Sequence, residues 1–207
     1  GSWILVNKNG RKIKNGSFFS ITNYTPPKLH FNTFEQAKNH TLQVLNNSVK
    51  SHLIADVEVG TFLSGGIDST LITYLAAKNS SSKINSFSIG FSNTHFDETK
   101  YAKIAAEFIG TKHHVEIINN IKPEDVKFIS NAYGEPYGDS SAIPTYFVSK
   151  LAAKSLKVCL TGDGADELLG GYWWWYYPFL DFGKNRFYNN INDFITLFFF
   201  KILINLK

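Results

Sequence analysis

Phe62-Leu-Ser-Gly-Gly-Ile-Asp-Ser-Thr70 is the stretch on which the fold turns. Apolar, β-prone residues 57–63 precede it and a helical pattern over 69–78 follows it, so the string joins a strand end to a helix start. Gly65 and Gly66 permit a tight turn and let the backbone approach an anion. The following helix start offers unpaired N–H groups and the positive end of a dipole. Ser64, Ser69 and Thr70 add hydroxyl donors. Asp68 would repel a bare phosphate; it is expected either to hold Mg²⁺ against phosphate oxygens or to cap the helix. A Gly-Gly pair alone is an ordinary strand-to-helix turn, but the whole string at this junction favours phosphate binding. No Gly-Lys-Ser/Thr follows the glycines, and the Gly-x-Gly-x-x-Gly spacing is missing, which excludes the Walker and dinucleotide loops.

Working outward, strand and helix patterns alternate. Strands are expected at 57–63, 84–91, 113–118 and 157–161. Helices are expected at 69–78, from Asp97 to a stop at Gly110, after Pro123, and over 142–156. Such alternation implies an α/β fold, a parallel sheet with helices on both faces. Upstream, Thr33-Phe-Glu-Gln36 has capping-box spacing and should start a helix. Residues 1–32 hold β-like pieces such as Trp3-Ile-Leu-Val6 and the turn signals Asn9-Gly10 and Asn15-Gly16; Pro26-Pro27 reads as a linker.

A second loop is written at Leu160-Thr-Gly-Asp-Gly-Ala-Asp-Glu-Leu-Leu-Gly-Gly-Tyr172. It also follows a strand. Glycines flank Asp163, and Asp166 and Glu167 follow closely. These acids suit a cation or an amine-bearing substrate; a capped acidic turn is the plain alternative. Two loops ending neighbouring strands of one parallel sheet would share a cleft, because such sheets bind ligands at the strands' carboxyl ends.

Together these strings resemble the asparagine synthetase (glutamine-hydrolysing) family, in its C-terminal synthetase domain of the ATP pyrophosphatase (PP-loop) type. Ser64-Gly-Gly-Ile-Asp-Ser69 resembles the pyrophosphate loop and Thr161-Gly-Asp-Gly-Ala-Asp-Glu167 the second signature. Phe87-Ser-Ile-Gly-Phe91, Phe96-Asp-Glu98 and Gly134-Glu-Pro-Tyr-Gly-Asp-Ser-Ser-Ala-Ile-Pro144 agree in order and spacing. The resemblance covers about residues 34–177. It implies that Leu63 and Ile89 contact adenosine, and that Ser64, Gly65, Gly66, Asp68 and Ser69 surround the phosphates of ATP and Mg²⁺. It implies that Thr161 and Gly162 touch the nucleotide, that Asp163 acts in forming the β-aspartyl-adenylate, and that Asp166 assists at the metal. Asp139 and Ser140 would approach the activated substrate.

The implied reaction is adenylation of the aspartate side-chain carboxylate, then attack by ammonia, giving asparagine, AMP and pyrophosphate. Amide or lactam formation on another carboxylate, and nucleotide binding without turnover, are the rival readings. Thr161 stands where the family commonly has Ser, and Asp163 is one methylene shorter than the Glu of some members. The expected organisation is the end of a glutaminase-type domain plus linker at 1–32, the synthetase domain at 33–177, and the start of an incomplete helical part at 178–207. The family's N-terminal cysteine nucleophile and later catalytic lysine have no counterpart here, so the reading is of a fragment truncated at its C-terminal side. Ammonia would come from the absent glutaminase domain, and a homodimer of the full-length protein is an open expectation.

Composition bounds these readings. The 207 residues are 43% hydrophobic and 18% charged, enough for one real core. The formal net charge of +4 is spread without a basic run, so no nucleic-acid partner is expected. A single cysteine, Cys159, excludes an internal disulfide and fits a reducing, cytoplasmic setting; its strand neighbours predict a buried thiol. His113 and His114, adjacent on a strand, point to opposite faces and cannot easily share a metal. The apolar tail 194–206 is shorter than the roughly 20 residues of a membrane span and reads as a core helix, with no membrane partner expected. The aromatic run Tyr172-Trp-Trp-Trp-Tyr-Tyr177 is expected to pack against further chain.

Overall fold

The computed structural model describes residues 1–20, 23, 29–92, 97–135 and 137–172. The Pro26-Pro27 linker, Phe96, the aromatic run from Trp173 onward and the apolar tail lie outside the described residues. The chain divides into two compact units, residues 1–44 and 45–207.

In the first unit, β1 (Ser2–Val6) and β2 (Lys12–Ser17) form an antiparallel hairpin. Asn9-Gly10 lies in its connection as expected. The Asn7 side chain holds that turn by accepting from the Asn9 and Arg11 amides at 3.0 and 2.9 Å. Asn15-Gly16 is not a turn: it sits inside β2, opposite Ile4 and Trp3. A Cβ on Gly16 would lie 2.8 Å from the Trp3 indole, so the missing side chain makes room for a ring across the strand pair. Helix α1 (Phe34–His52) begins after Thr33, and its residues from 45 onward belong to the second unit. The Gln36 amide donates to Thr33 Oγ1 at 3.2 Å, while Gln36 Oε1 accepts from the Asn32 amide at 2.8 Å. The capping box therefore forms with its return bond one residue early.

The second unit carries a four-stranded parallel sheet in the order β5-β4-β3-β6. Its strands are β3 (Val59–Phe62), β4 (Asn85–Phe91), β5 (Lys112–Ile118) and β6 (Val158–Leu160). Its helices are α2 (Ile67–Asn79), α3 (Thr99–Ile109), α4 (Pro123–Tyr133), α5 (Ala142–Ala152) and the short α6 (Ala165–Leu169). The chain moves outward from β3 through β4 to β5, then returns to place β6 on the other side of β3. Strand order reverses there, so the loops after β3 and β6 leave their strands in diverging directions and open a crevice.

Strand alternation distributes the helices over both faces, as expected for this α/β fold. Thr61, Leu63 and Ser86 face α2 and α3: Thr73 Oγ1 donates to Thr61 Oγ1 at 3.1 Å, and Leu63 packs with Ala102 and Ala106. Phe62 and Phe87, paired across β3 and β4, face the other way and pack with Ala152 and Leu156 after α5. A third cluster joins Val49 of α1, Leu75 and Ala76 of α2, and Ile84. Burying each of Phe87, Leu63 and Leu75 is worth about 1.5–3 kcal/mol. Helix α5 ends at Ala152 rather than near residue 156; Leu156 stays buried because a turn, with its amide bonded to the Ala152 carbonyl at 2.8 Å, carries it back over Phe87. The apolar period thus outlasts the helix. Among the described residues no helix is long and apolar enough to cross a membrane.

Cys159 is half-buried on β6, and burial pushes its thiol up to about 11. The two histidines do point to opposite faces. His114 stacks on Phe87 and bonds Asn85 Oδ1 at 2.8 Å. His113 Nδ1 meets Ser86 Oγ at 2.9 Å, and its buried Nε2 has no hydrogen-bond partner among the described residues.

Candidate functional site

The loop after β3 is held by its own serines. The Ser64 amide donates to Ser69 Oγ at 3.2 Å, the two hydroxyls are 2.9 Å apart, and the Gly66 amide donates to Ser64 Oγ at 3.1 Å. The buried Ser88 hydroxyl on β4 donates to the Leu63 carbonyl and pins the strand end from which the loop departs. Gly65 takes φ +87°, and a Cβ there would lie 2.5 Å from the Ala102 amide and 2.6 Å from Tyr101. The loop therefore lies directly on the first turns of α3, and only glycine fits both the backbone and the contact. Gly66 is the N-cap of α2, and a Cβ there would meet only the Ser64 hydroxyl, at 3.2 Å, rather than backbone. Asp68 does not cap: it stands in the first turn of α2, where backbone amides have no intrahelical acceptor.

The second loop packs against the first. A Cβ on Gly162 would lie 2.9 Å from the Ser69 amide and 3.2 Å from Asp68 Cβ. The Asp163 amide donates to Thr161 Oγ1 at 3.3 Å, which folds the loop before α6. Two loops distant in sequence thus share one wall because β3 and β6 are neighbours in the sheet.

Between them opens a cavity of about 570 Å³. It collects Ser64, Gly66, Asp68, Ser69, Thr161, Gly162, Asp163, Asp166 and Asp139 of the expected site. Gly65 lies behind the loop against α3. Ser140 does not line the cavity, whereas its neighbour Ser141 does. Asp139 is positioned by an Asx-type turn: its Oδ1 accepts from the Ser141 amide at 2.8 Å, and this bond and the Ser141 hydroxyl hold its carboxyl below the usual range. Leu63 and Ile89 line an adjoining apolar cavity of about 340 Å³, together with Phe87, Phe91, Ala102 and Val148. The two cavities meet at Phe62, Ser64 and Thr145, which belong to both.

Thr145, Ser141 and Tyr172 also line the polar cavity and were given no role by the sequence patterns, while Glu167, expected with Asp163 and Asp166 to suit a cation or an amine, lines it too. Thr145 lies one residue past the Gly134–Pro144 motif, and extending that motif by one helical turn would have found it. Tyr172 donates to Glu167 Oε1 at 2.8 Å, a bond that pushes the phenol's pKa up.

The electrostatics are one-sided. Asp68, Asp139, Asp163, Asp166 and Glu167 line the polar cavity, and no Lys or Arg stands among its described lining residues. An anionic ligand entering between these carboxylates and the α2 amides needs a bridging cation. Among the described residues no three His, Cys, Asp or Glu side chains converge on a metal position. One or two carboxylates completed by phosphate oxygens and water is the coordination Mg²⁺ favours, so this donor set fits that ion.

The profile of the asparagine synthase family matches residues 40–189. A putative glutamine-hydrolysing asparagine synthetase 2 of Methanocaldococcus jannaschii is 36% identical over 171 residues, which cover 82% of this chain and 32% of that protein. Glutamine-hydrolysing asparagine synthetase 1 of Bacillus subtilis is 36% identical over 182 residues, covering 81% of this chain and 28% of its own. The chain thus spans about a third or less of the length of the curated relatives it matches. Among solved structures, an NH3-dependent NAD synthetase from Campylobacter jejuni superposes with a TM-score of 0.42 at 18% identity, covering 65% of this chain and 60% of that one. An NMN synthetase from Francisella tularensis gives 0.43 at 19%, covering 65% and 58%. With both loops, the switch-point crevice and the family profile on the same residues, this chain belongs to the asparagine synthase family.

Proposed function

We propose that this unit binds ATP with adenosine in the apolar cavity and phosphates on the loop between Ser64 and Ser69, and activates a carboxylate by adenylation. The observation that carries the reading is the junction of the two cavities at Ser64: an apolar pocket of base size opens into a phosphate-sized loop at a helix start. The relatives' names support aspartate as the carboxylate and glutamine as the ultimate ammonia source.

In the proposed reaction a carboxylate oxygen of aspartate attacks the α-phosphorus while the bond to pyrophosphate breaks. Ammonia then attacks the acyl carbon, AMP leaves with the bonding electrons, and the nitrogen sheds a proton to give the neutral amide of asparagine. The chain's task is placement. The free first-turn amides of α2 hold phosphate oxygens on a loop that the Ser64 and Ser69 hydroxyls keep folded, while Gly162 lets the second loop close on them. Asp68 and Asp166 would hold Mg²⁺, which supplies the positive charge that the cavity's carboxylates withhold. Asp163 and Asp139, which both line the cavity, would receive the substrate's α-ammonium; Asp139, held ionised by Ser141, is suited to that contact.

The test is isotope exchange between pyrophosphate and ATP, with and without aspartate. Exchange that depends on aspartate is the expected result. Exchange driven by other carboxylates moves the acceptor, and nucleotide binding without exchange removes the adenylation step. For the cation, Asp68→Asn should weaken ATP binding far more in Mg²⁺ than in its absence; equal weakening in both buffers refutes a metal role.

A further inference from the structure

We infer that the Thr145 hydroxyl contacts the α-phosphate of the bound nucleotide and sets the angle at which the reacting phosphorus meets the acceptor carboxylate. The inference rests on the nucleotide reading above and names a residue that reading does not use. Adenosine in the apolar cavity and pyrophosphate on the Ser64–Ser69 loop leave the α-phosphate at the junction of the two. Three described residues line both cavities: Phe62, Ser64 and Thr145. Phe62 has no polar group. The Ser64 hydroxyl is committed to Ser69 and to the Gly66 amide. The Thr145 hydroxyl makes no hydrogen bond to any described residue, and its side chain is exposed to the cavities.

The start of α5 offers no free backbone donor, and the Ser141 hydroxyl is engaged with Asp139. The Ser141 amide is spent on Asp139 Oδ1, the Ala142 amide on the Asp139 carbonyl at 3.2 Å, and the Ile143 amide on the Ser140 carbonyl at 3.3 Å. Pro144 has no N–H, and the Thr145 amide bonds the Ser141 carbonyl at 3.0 Å. The usual anion site of a helix start is therefore closed, and one side-chain hydroxyl replaces it at the fourth residue of α5. Thr145 lines both cavities with Ser64, so its O–H is the donor left at the junction for an α-phosphate oxygen.

Calorimetric titration of the intact chain with AMP and with adenosine isolates this contact, because the two ligands differ only in the α-phosphate. Thr145→Val keeps shape and β-branching and removes the hydroxyl. It should weaken AMP binding about tenfold, the scale of a hydrogen bond to a charged group, and leave adenosine unchanged; Thr145→Ser should restore AMP binding. In pyrophosphate exchange Thr145→Val should lower kcat more than it raises the KM for ATP. Equal weakening of AMP and adenosine, or of neither, overturns the contact while sparing the nucleotide reading. A wild-type chain that binds neither ligand overturns both. Thr145→Ala, with its better helix propensity, replaces the valine variant if that one fails to fold, and the same AMP-to-adenosine ratio decides.

Discussion

Replacing Gly65 by alanine perturbs the phosphate loop at its tightest point, and the structure sets the size of the effect. The residue sits at φ +87°, where an L side chain costs about 1–2 kcal/mol. The new Cβ would also lie 2.5 Å from the Ala102 amide and 2.6 Å from the Tyr101 carbonyl carbon, both backbone atoms near the start of α3. Backbone cannot swing aside as a flexible side chain can, so an overpacking cost of about 1–3 kcal/mol adds to the first. The expected loss is therefore about 2–5 kcal/mol in urea unfolding, or a melting point lower by about 4 °C or more. The next glycine is an internal control. Gly66 is extended at φ −67°, and a Cβ there meets only Ser64 Oγ, at 3.2 Å. Its alanine variant should stay within about 1 kcal/mol of wild type, the gain from a stiffer unfolded chain offsetting a poorer helix cap. ATP affinity, measured on both variants under conditions where each is folded, should fall for Gly65→Ala and change little for Gly66→Ala. Equal stability of the two variants, or a larger loss at Gly66, would refute the argument that α3 buttresses the loop.

Three further outcomes are expected. Thr61→Val should cost about 1–3 kcal/mol because it strands the buried Thr73 hydroxyl, and the Thr61→Val/Thr73→Val double variant should cost less than the sum of the singles; strict additivity in urea melts would rule out the pairing. His113 is held below its ordinary 6.5, chiefly by burial and secondarily by the neighbouring His114, against an opposing hydrogen bond to Ser86. The unfolded chain therefore binds the proton more readily, and stability should fall as pH drops through 6.5 toward the folded value, then level off; His113→Gln should lose that part of the pH slope, and an unchanged difference between pH 7.5 and 5.5 would contradict it. Cys159, with its thiol raised from 9.0 to about 11, should be alkylated at pH 8 about a hundredfold more slowly than an unperturbed thiol, and a rate within tenfold of that thiol would contradict its burial.

Much of the architecture follows from local chemistry alone. The alternation of apolar strand runs with helical periods placed β3, β4, β5 and β6 to within about two residues. Proline at the first position of α4, the Asp97 side chain accepting from the Thr99 amide at 3.1 Å, and Gly110 after α3 set helix ends through bonds that span only a few residues. The two glycine-rich strings could be read as ligand loops because backbone freedom and small hydroxyls are properties of the residues themselves. Other features needed the tertiary structure. Glycine content cannot rank Gly65 against Gly66, since the difference lies in α3 pressing on one and not the other. Asn15-Gly16 carries a turn composition, yet a strand partner with a large ring at Trp3 took its glycine for packing. Ser141 in place of Ser140, and Thr145 at the meeting of two cavities, are set by how α5 lies against the sheet. That β6 returns beside β3, bringing Asp163 and Asp166 to the Ser64 loop, depends on pairing between strands far apart in sequence, and no local propensity encodes such a pairing.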